Sequence, residues 1–247
     1  MKLALCYTYF DGFEQLLHSL EKMSPHVDTI ILSVQRVSNN GNTNENFGKE
    51  VSFIYRNFPK VIVIFFNPEL SINSKTNERL KHNSLIEAAR KYGATHFILS
   101  ACDHVYTPEH IQKGKDFVLK NNCDVTLTKM FTYYKRENWR LEPLESYFMP
   151  FIHKLNSNTQ ISAKPYNYLT DPSVNVEPRE NLHVFDESEI ILHHYSMLRT
   201  DIKKKFLNAA GSDRWKKEDF ETYLNEWNGA KVGDSIKYFD NRVIIEV

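Results

Sequence analysis

Asp103 stands just beyond the carboxyl end of the short strand expected at 96–99, inside the segment Ser-Ala-Cys-Asp-His-Val-Tyr at 100–106. A carboxylate at that point, where a buried strand gives way to a turn, is placed to hold a divalent cation through oxygen. Imidazoles that could complete such a site come much later, at His193 and His194, directly after the short strand expected at 189–192. Neutral imidazole is a good ligand for Mn²⁺ and similar ions. Side chains alternate along a strand, so one histidine of the pair faces inward and the other outward, and the sequence leaves open which. Arg199 follows, then Lys203, Lys204 and Lys205 on a basic stretch. Arginine grips phosphate oxygens in a planar fork, and lysine supplies a point charge. A third group is acidic. Glu142 and Glu145 lie in an aromatic stretch from Tyr133 to Tyr147, whose composition suits a saccharide, and Asp171 lies beyond it. Each of the three could take a proton from a hydroxyl.

The elements that must position these groups follow from the spacing of apolar residues. Runs at 3–9, 28–34 and 61–66 read as buried strands, and residues 13–23 place Phe13, Leu16, Leu17 and Leu20 at helical spacing. Residues 77–92 read as a second helix, closed by Gly93. Thr107-Pro108 opens a third, with Thr as cap and Pro at the first helical position. Strands are expected at 96–99 and 123–129, and an Asn-, Gly- and Thr-rich loop at 38–48. Strand alternating with helix predicts an α/β fold with a mainly parallel sheet flanked by helices. Ligands of such sheets sit beyond the carboxyl ends of the strands, which is where Asp103 lies. The rest is less regular: 131–152 is aromatic and charged, 156–179 is loop-rich, 200–210 and 215–227 read as helices, and 236–247 as a hairpin turning at Asp240-Asn241. The expected organisation is one continuous domain, residues 1–130 forming its α/β half and 131–247 a smaller C-terminal region.

The stretch from Asn77 to Tyr106, an Asn-bearing helix, then Gly93-Ala94-x-x-Phe97-Ile98-Leu99, then Asp103, resembles the GT-A glycosyltransferases. In that family a helix, a strand and a D-x-D motif follow one another at this distance, and the likeness in layout covers roughly residues 1–130. One departure is plain: Ala101 stands where the first aspartate would be, and His104 follows Asp103 where an acid is common. A later residue must then help, and several GT-A enzymes complete their metal site with a C-terminal histidine, a role that His193 or His194 matches. The resemblance implies a Rossmann-like GT-A sheet with a C-terminal acceptor region. It implies transfer of a sugar from a nucleotide diphosphate sugar to an acceptor hydroxyl of a glycan or glycoconjugate, assisted by Mn²⁺ or Mg²⁺ at Asp103. Inversion is expected, with a base among Glu145, Glu142 and Asp171. Donor contacts are implied at Tyr7 and Tyr9 at the end of the first strand, Gln35 at the end of the second, Arg79 and Asn83 on the helix before Asp103, and Arg199 and Lys204 beside the diphosphate.

Composition narrows the alternatives. Lys plus Arg and Asp plus Glu each total 31, so the formal charge is zero, whereas nucleic-acid binders usually carry a basic excess. That counts against a phage-type enzyme glycosylating modified DNA bases. A nucleotidyltransferase would open with a glycine-rich loop after its first strand, and only Asp11-Gly12 stands there. A non-catalytic nucleotide-sugar-binding module is the remaining alternative, and Ala101 is its best support. The three cysteines form no CxxC pair and are expected as buried thiols in a reducing compartment. No apolar stretch approaches the ~18 residues of a membrane span. The N-terminal apolar run is too short for a secretory signal, so a cytoplasmic protein is expected.

Overall fold

The computed structural model describes residues 1–162, 164–209 and 216–247. Its first half follows the expected alternation: β1 (Leu3–Tyr9), α1 (Phe13–Met23), β2 (Thr29–Val34), α2 (Phe47–Asn57), β3 (Val61–Phe65), α3 (Ser74–Lys91) and β4 (His96–Ala101). These strands form a parallel block in the order β3-β2-β1-β4. Being covered on both faces, they read as near-continuous apolar runs. One face packs on α1 and α2 through Leu16, Leu20, Val51 and Ile54. The other packs on α3 through Leu85, Ile86 and Ala89.

Helix boundaries follow from local chemistry. α3 starts three residues earlier than the apolar spacing suggests, because Asn73 caps it by accepting from Thr76 N at 2.9 Å. It stops at Gly93, whose φ of +74° lets Ala94 N reach back to Ala89 O. The short β5 (His104–Val105) leads to α4 (Pro108–Asn121), where Thr107 Oγ1 accepts from His110 N as its sequence implies. α2 is the one helix of the parallel block that the apolar spacing does not mark.

The second half departs from simple alternation. β6 (Val125–Tyr134) is longer than the expected 123–129 strand and does not lie beside β4. Between them runs β8 (Met149–Lys154), antiparallel to both. The far end of β6 pairs with β7 (Trp139–Glu142), and β7 with β14 (Arg242–Glu246). β14 pairs in turn with β13 (Ser235–Ile236), and this is the expected C-terminal hairpin, turning through positive φ at Asp240 and Asn241. β9 (Gln160–Ile161) and β10 (Val176–Glu177) form a small ribbon, and β11 (Leu182–Val184) lies parallel to β6. β12 (Ile191–Met197) runs parallel to β6 and closes on β5.

α5 (Ile202–Leu207) and α6 (Lys217–Gly229) cover a third core with Tyr134, Trp139 and Ile244. Both helices are expected, but Ala210 and Trp215, at their expected ends, lie outside the described residues. All three cysteines are buried and unpaired. Among the described residues no helix is long and apolar enough to cross a membrane.

Candidate active site around Asp103

β4 delivers Asp103 to the carboxyl edge of the parallel block. The short β5 then pairs antiparallel with β12, setting His104 opposite His194, and Tyr195 N donates to Asp103 O at 2.8 Å. This register settles the histidine pair. His194 lies on the Asp103 side, its Nε2 3.9 Å from Asp103 Oδ1 and its ring 5.0 Å from that of His104. His193 points to the opposite face, where its Nδ1 meets Tyr133 OH at 2.8 Å and its ring stacks on His110. The structure therefore does not bring His193 to Asp103, and supplies His104 instead. Donor atoms of Asp103, His104 and His194 lie within 4.8 Å of one another.

Two cations hold the other carboxylate oxygen. Arg199 Nη2 donates to Asp103 Oδ2 at 2.7 Å and Lys205 Nζ at 3.3 Å. Burial alone would raise the Asp103 pKa, but Lys205, Arg199, His194 and His104 together hold it well below the usual carboxylate range. Burial and the neighbouring His194 push His104 down to about 3, and burial pushes His194 down as well. Both imidazoles are therefore neutral at pH 7, the form that ligates metal. His194 Nδ1 is buried with no hydrogen-bond partner, and Asp103 Oδ1 is free of the two cations. His194 thus has one nitrogen without a partner, while its other nitrogen, Nε2, faces the uncommitted carboxylate oxygen, a ring that fits a bound cation.

Gly12 makes room for the clamp. A Cβ there would stand 1.1 Å from Arg199 Nη1, and the residue has φ +79°. Gly12→Ala is expected to cost about 1–2 kcal/mol in backbone strain alone and to push Arg199 off Asp103. Chemical denaturation checks the first effect and nucleotide affinity the second.

A cleft of about 510 Å³ opens beside the cluster, lined by Thr8, Ala101, His104 and His194 and, across from them, by Glu145, Asp171, Lys75 and His82. Glu145 is brought there by the parallel register of β12 on β6. That register sets Thr132 beside His194, and Thr132 Oγ1 donates to Glu145 Oε1 at 2.5 Å. Asp171 faces the same cleft but is engaged by Lys75 at 2.7 Å and by Ser173 N at 2.8 Å. Glu142 does not line it: Glu142 sits on β7, paired with Arg140 at 2.7 Å.

The other implied donor contacts are largely committed elsewhere. Tyr7 and Tyr9 turn into the core, bonded to Ser19 and Glu50, so by strand alternation Thr8 faces the cleft instead. Gln35 is buried and accepts from Lys81 Nζ. Asn83 Oδ1 accepts from Ile161 N at 2.8 Å and so anchors β9, while Arg79 bonds Thr76. Lys204 reaches Asn44 at 3.4 Å, leaving the Asp103 contact to its neighbour Lys205. Lys75, Glu78 and His82 are cleft residues that sequence analysis passes over. Their 3- and 4-residue spacing on α3 was the available signal.

No family model matches the chain, and no curated protein matches it. Solved structures do. The chain is similar to S. aureus TarS 1–349, at 13% identity and TM-score 0.51, over 92% of this chain and 71% of that one. It is similar to TarS 1–349 in complex with UDP-GlcNAc at 12% identity and TM-score 0.50, over 92% and 72% of the two chains. The fold is GT-A. Open parallel α/β sheets take ligands beyond the carboxyl ends of their strands, and the Asp103 cluster stands beyond those ends of β1 and β4. Against a longer TarS chain the match has TM-score 0.52 and 13% identity, and this chain spans 43% of that length.

Proposed function

We propose that the protein is a nucleotide-sugar-dependent glycosyltransferase that binds its donor diphosphate at Asp103 and deprotonates an acceptor hydroxyl with Glu145. One observation carries this reading: two neutral imidazoles and a carboxylate line one cleft beyond the carboxyl ends of the parallel strands of a GT-A sheet, with the buried Asp103 carboxylate against the imidazoles. The TarS structure holding UDP-GlcNAc makes a UDP-sugar the first donor to try. In this reading the 1–130 half supplies most of the donor site, and the 131–247 half supplies the acceptor side and completes the metal and phosphate site with His194, Arg199 and Lys205.

Asp103 Oδ1, His104 and His194 would hold the cation. Two imidazoles with one carboxylate suit Mn²⁺ better than Mg²⁺, which prefers an all-oxygen shell. Bound there, the cation would neutralise charge on the departing diphosphate. Arg199 and Lys205 add positive charge at the same place. Glu145 takes the proton of the acceptor hydroxyl, whose oxygen bonds to the anomeric carbon as the carbon–diphosphate bond breaks. The nucleoside diphosphate leaves with that electron pair, and a single displacement inverts the anomeric centre. The polar and apolar walls of the cleft, Tyr147, Met149 and Asp171 among them, suit a saccharide or glycoconjugate acceptor.

The test is a panel of UDP-, GDP- and TDP-sugars, following nucleoside diphosphate release with water as acceptor. Release from one donor class, faster with Mn²⁺ than with Mg²⁺ and lost in EDTA, is expected. Release from none of them would sink the catalytic reading and leave a binding module.

A further inference from the structure

We infer that Arg242, from the last strand of the chain, is a positioning residue that aims the Glu145 carboxylate into the cleft; this rests on Glu145 acting as the base. Glu145 lies on the irregular connection between β7 and β8, so no strand ladder fixes it. Its side chain is held instead by two donors on a single oxygen. Arg242 Nη2 donates to Oε1 at 2.9 Å, and Thr132 Oγ1 donates to the same atom. Among the described residues no hydrogen bond reaches Oε2. The terminal torsion of a glutamate is otherwise broad. Two donors on Oε1 restrict it and leave Oε2 as the oxygen free to accept a proton.

Arg242 is itself held rigidly. Nε donates to Phe239 O at 3.3 Å, the guanidinium lies 5.0 Å from the Phe239 ring centroid, and β14 is laid against β7 from Val243↔Glu142 to Glu246↔Trp139. The ion pair is largely out of solvent, with side-chain exposures of 8% for Arg242 and 16% for Glu145. A pair so buried gains little net stability, because desolvation offsets attraction. What it provides is a fixed direction. Arginine suits this because its planar fork can bond Phe239 O and Glu145 at once, which a lysine ammonium on a flexible stem does less well.

The experiment follows nucleoside diphosphate release from the best donor of the panel, in wild type, Glu145→Gln, Arg242→Ala, Arg242→Lys and Thr132→Val, with circular dichroism melting of each. Arg242→Ala should lower kcat about ten- to a hundred-fold, the size of effect expected when a base is misplaced by an ångström. Its donor KM should stay within about twofold of wild type, since the loss falls on the chemical step. Low, non-denaturing guanidinium should restore part of the rate of Arg242→Ala, and Arg242→Lys should be intermediate. A merely structural arginine would give neither result. Thr132→Val removes the second donor to the same oxygen and should lower kcat without Arg242 being touched, which keeps the inference testable if Arg242→Ala does not fold. An inactive Glu145→Gln beside a fully active Arg242→Ala and Thr132→Val would overturn the inference alone. So would a loss in Arg242→Ala that neither guanidinium nor lysine restores, with Thr132→Val fully active. A fully active Glu145→Gln, or no release from any donor, would overturn the base assignment and the inference with it.

Discussion

Asp103→Asn is expected to abolish cation-dependent nucleotide binding and to lower folding stability by about 3 kcal/mol. The size follows from what the substitution leaves behind. The Arg199 side chain is 3% exposed, and its Nη2 would face a neutral amide in place of a carboxylate. Breaking a buried pair by removing one partner typically costs about 3–5 kcal/mol, because the remaining charge stays desolvated. The lower end applies because Lys205, at 23% exposure, can swing toward water. Lys205→Ala should accordingly cost well under half as much. Urea unfolding of the two variants checks the order. An Asp103→Asn protein as stable as wild type would show that the clamp contributes nothing to folding.

The second large effect is acid lability. Burial alone pushes His153 down to about 3, and burial with Lys81 beside it pushes His82 down to about 4, from an ordinary 6.5. Both groups are neutral when folded and take a proton when unfolded. The unfolded chain therefore binds more protons below pH 6.5, and stability falls as pH drops from there toward the folded values. At about pH 5 each histidine contributes a loss of roughly 2 kcal/mol, together ~4 kcal/mol against a usual total of about 5–15 kcal/mol. Asp103 acts in the same direction at lower pH: its folded pKa is depressed, so its contribution is present above the ordinary 3.8 and lost as pH falls through the folded value. His153 separates the histidine contribution cleanly. It is fully buried, stacked on Phe97 at 4.8 Å, and neither ring nitrogen has a hydrogen-bond partner. His153→Leu should raise stability at pH 7 by about 1 kcal/mol, since it removes unsatisfied polar atoms. It should also flatten the pH slope by close to one proton. An unchanged slope in urea titrations across this range would show that His153 is protonated in the folded state.

Much of the first half was legible because its signals are local. Buried parallel strands appear as apolar runs, and Thr107-Pro108 and Gly93 mark helix ends by their own chemistry. α2 went unassigned although Val51 and Ile54 form its buried face. The polar loop before it and Gly48 inside its first turn mask a short amphipathic segment. β8 is a different case. Its insertion between β4 and β6 is a long-range antiparallel pairing, and nothing in the strand–helix alternation of residues 1–130 announces it.

The candidate site divides in the same way. Asp103 could be singled out from its position after a strand. The choice between His193 and His194 needed the register of β12 on β5, which alternation alone does not supply. Tyr7 and Tyr9 look like site residues in a list of strand-end aromatics, yet the same alternation that buries them points Thr8 into the cleft. The contact of Arg242 with Glu145 spans 97 positions and has no signature in sequence spacing.

In the proposed site Asp103, His104 and His194 hold a cation that binds a nucleotide diphosphate. Isothermal titration of UDP into wild type and His194→Ala, each with Mn²⁺ and with EDTA, tests it most directly. Wild-type binding is expected to be at least about tenfold tighter with Mn²⁺, a gain of ~1.4 kcal/mol, and Mn²⁺ is expected to make no difference to His194→Ala. Equal affinity with and without Mn²⁺ in wild type, or an undiminished Mn²⁺ effect in His194→Ala, would contradict it.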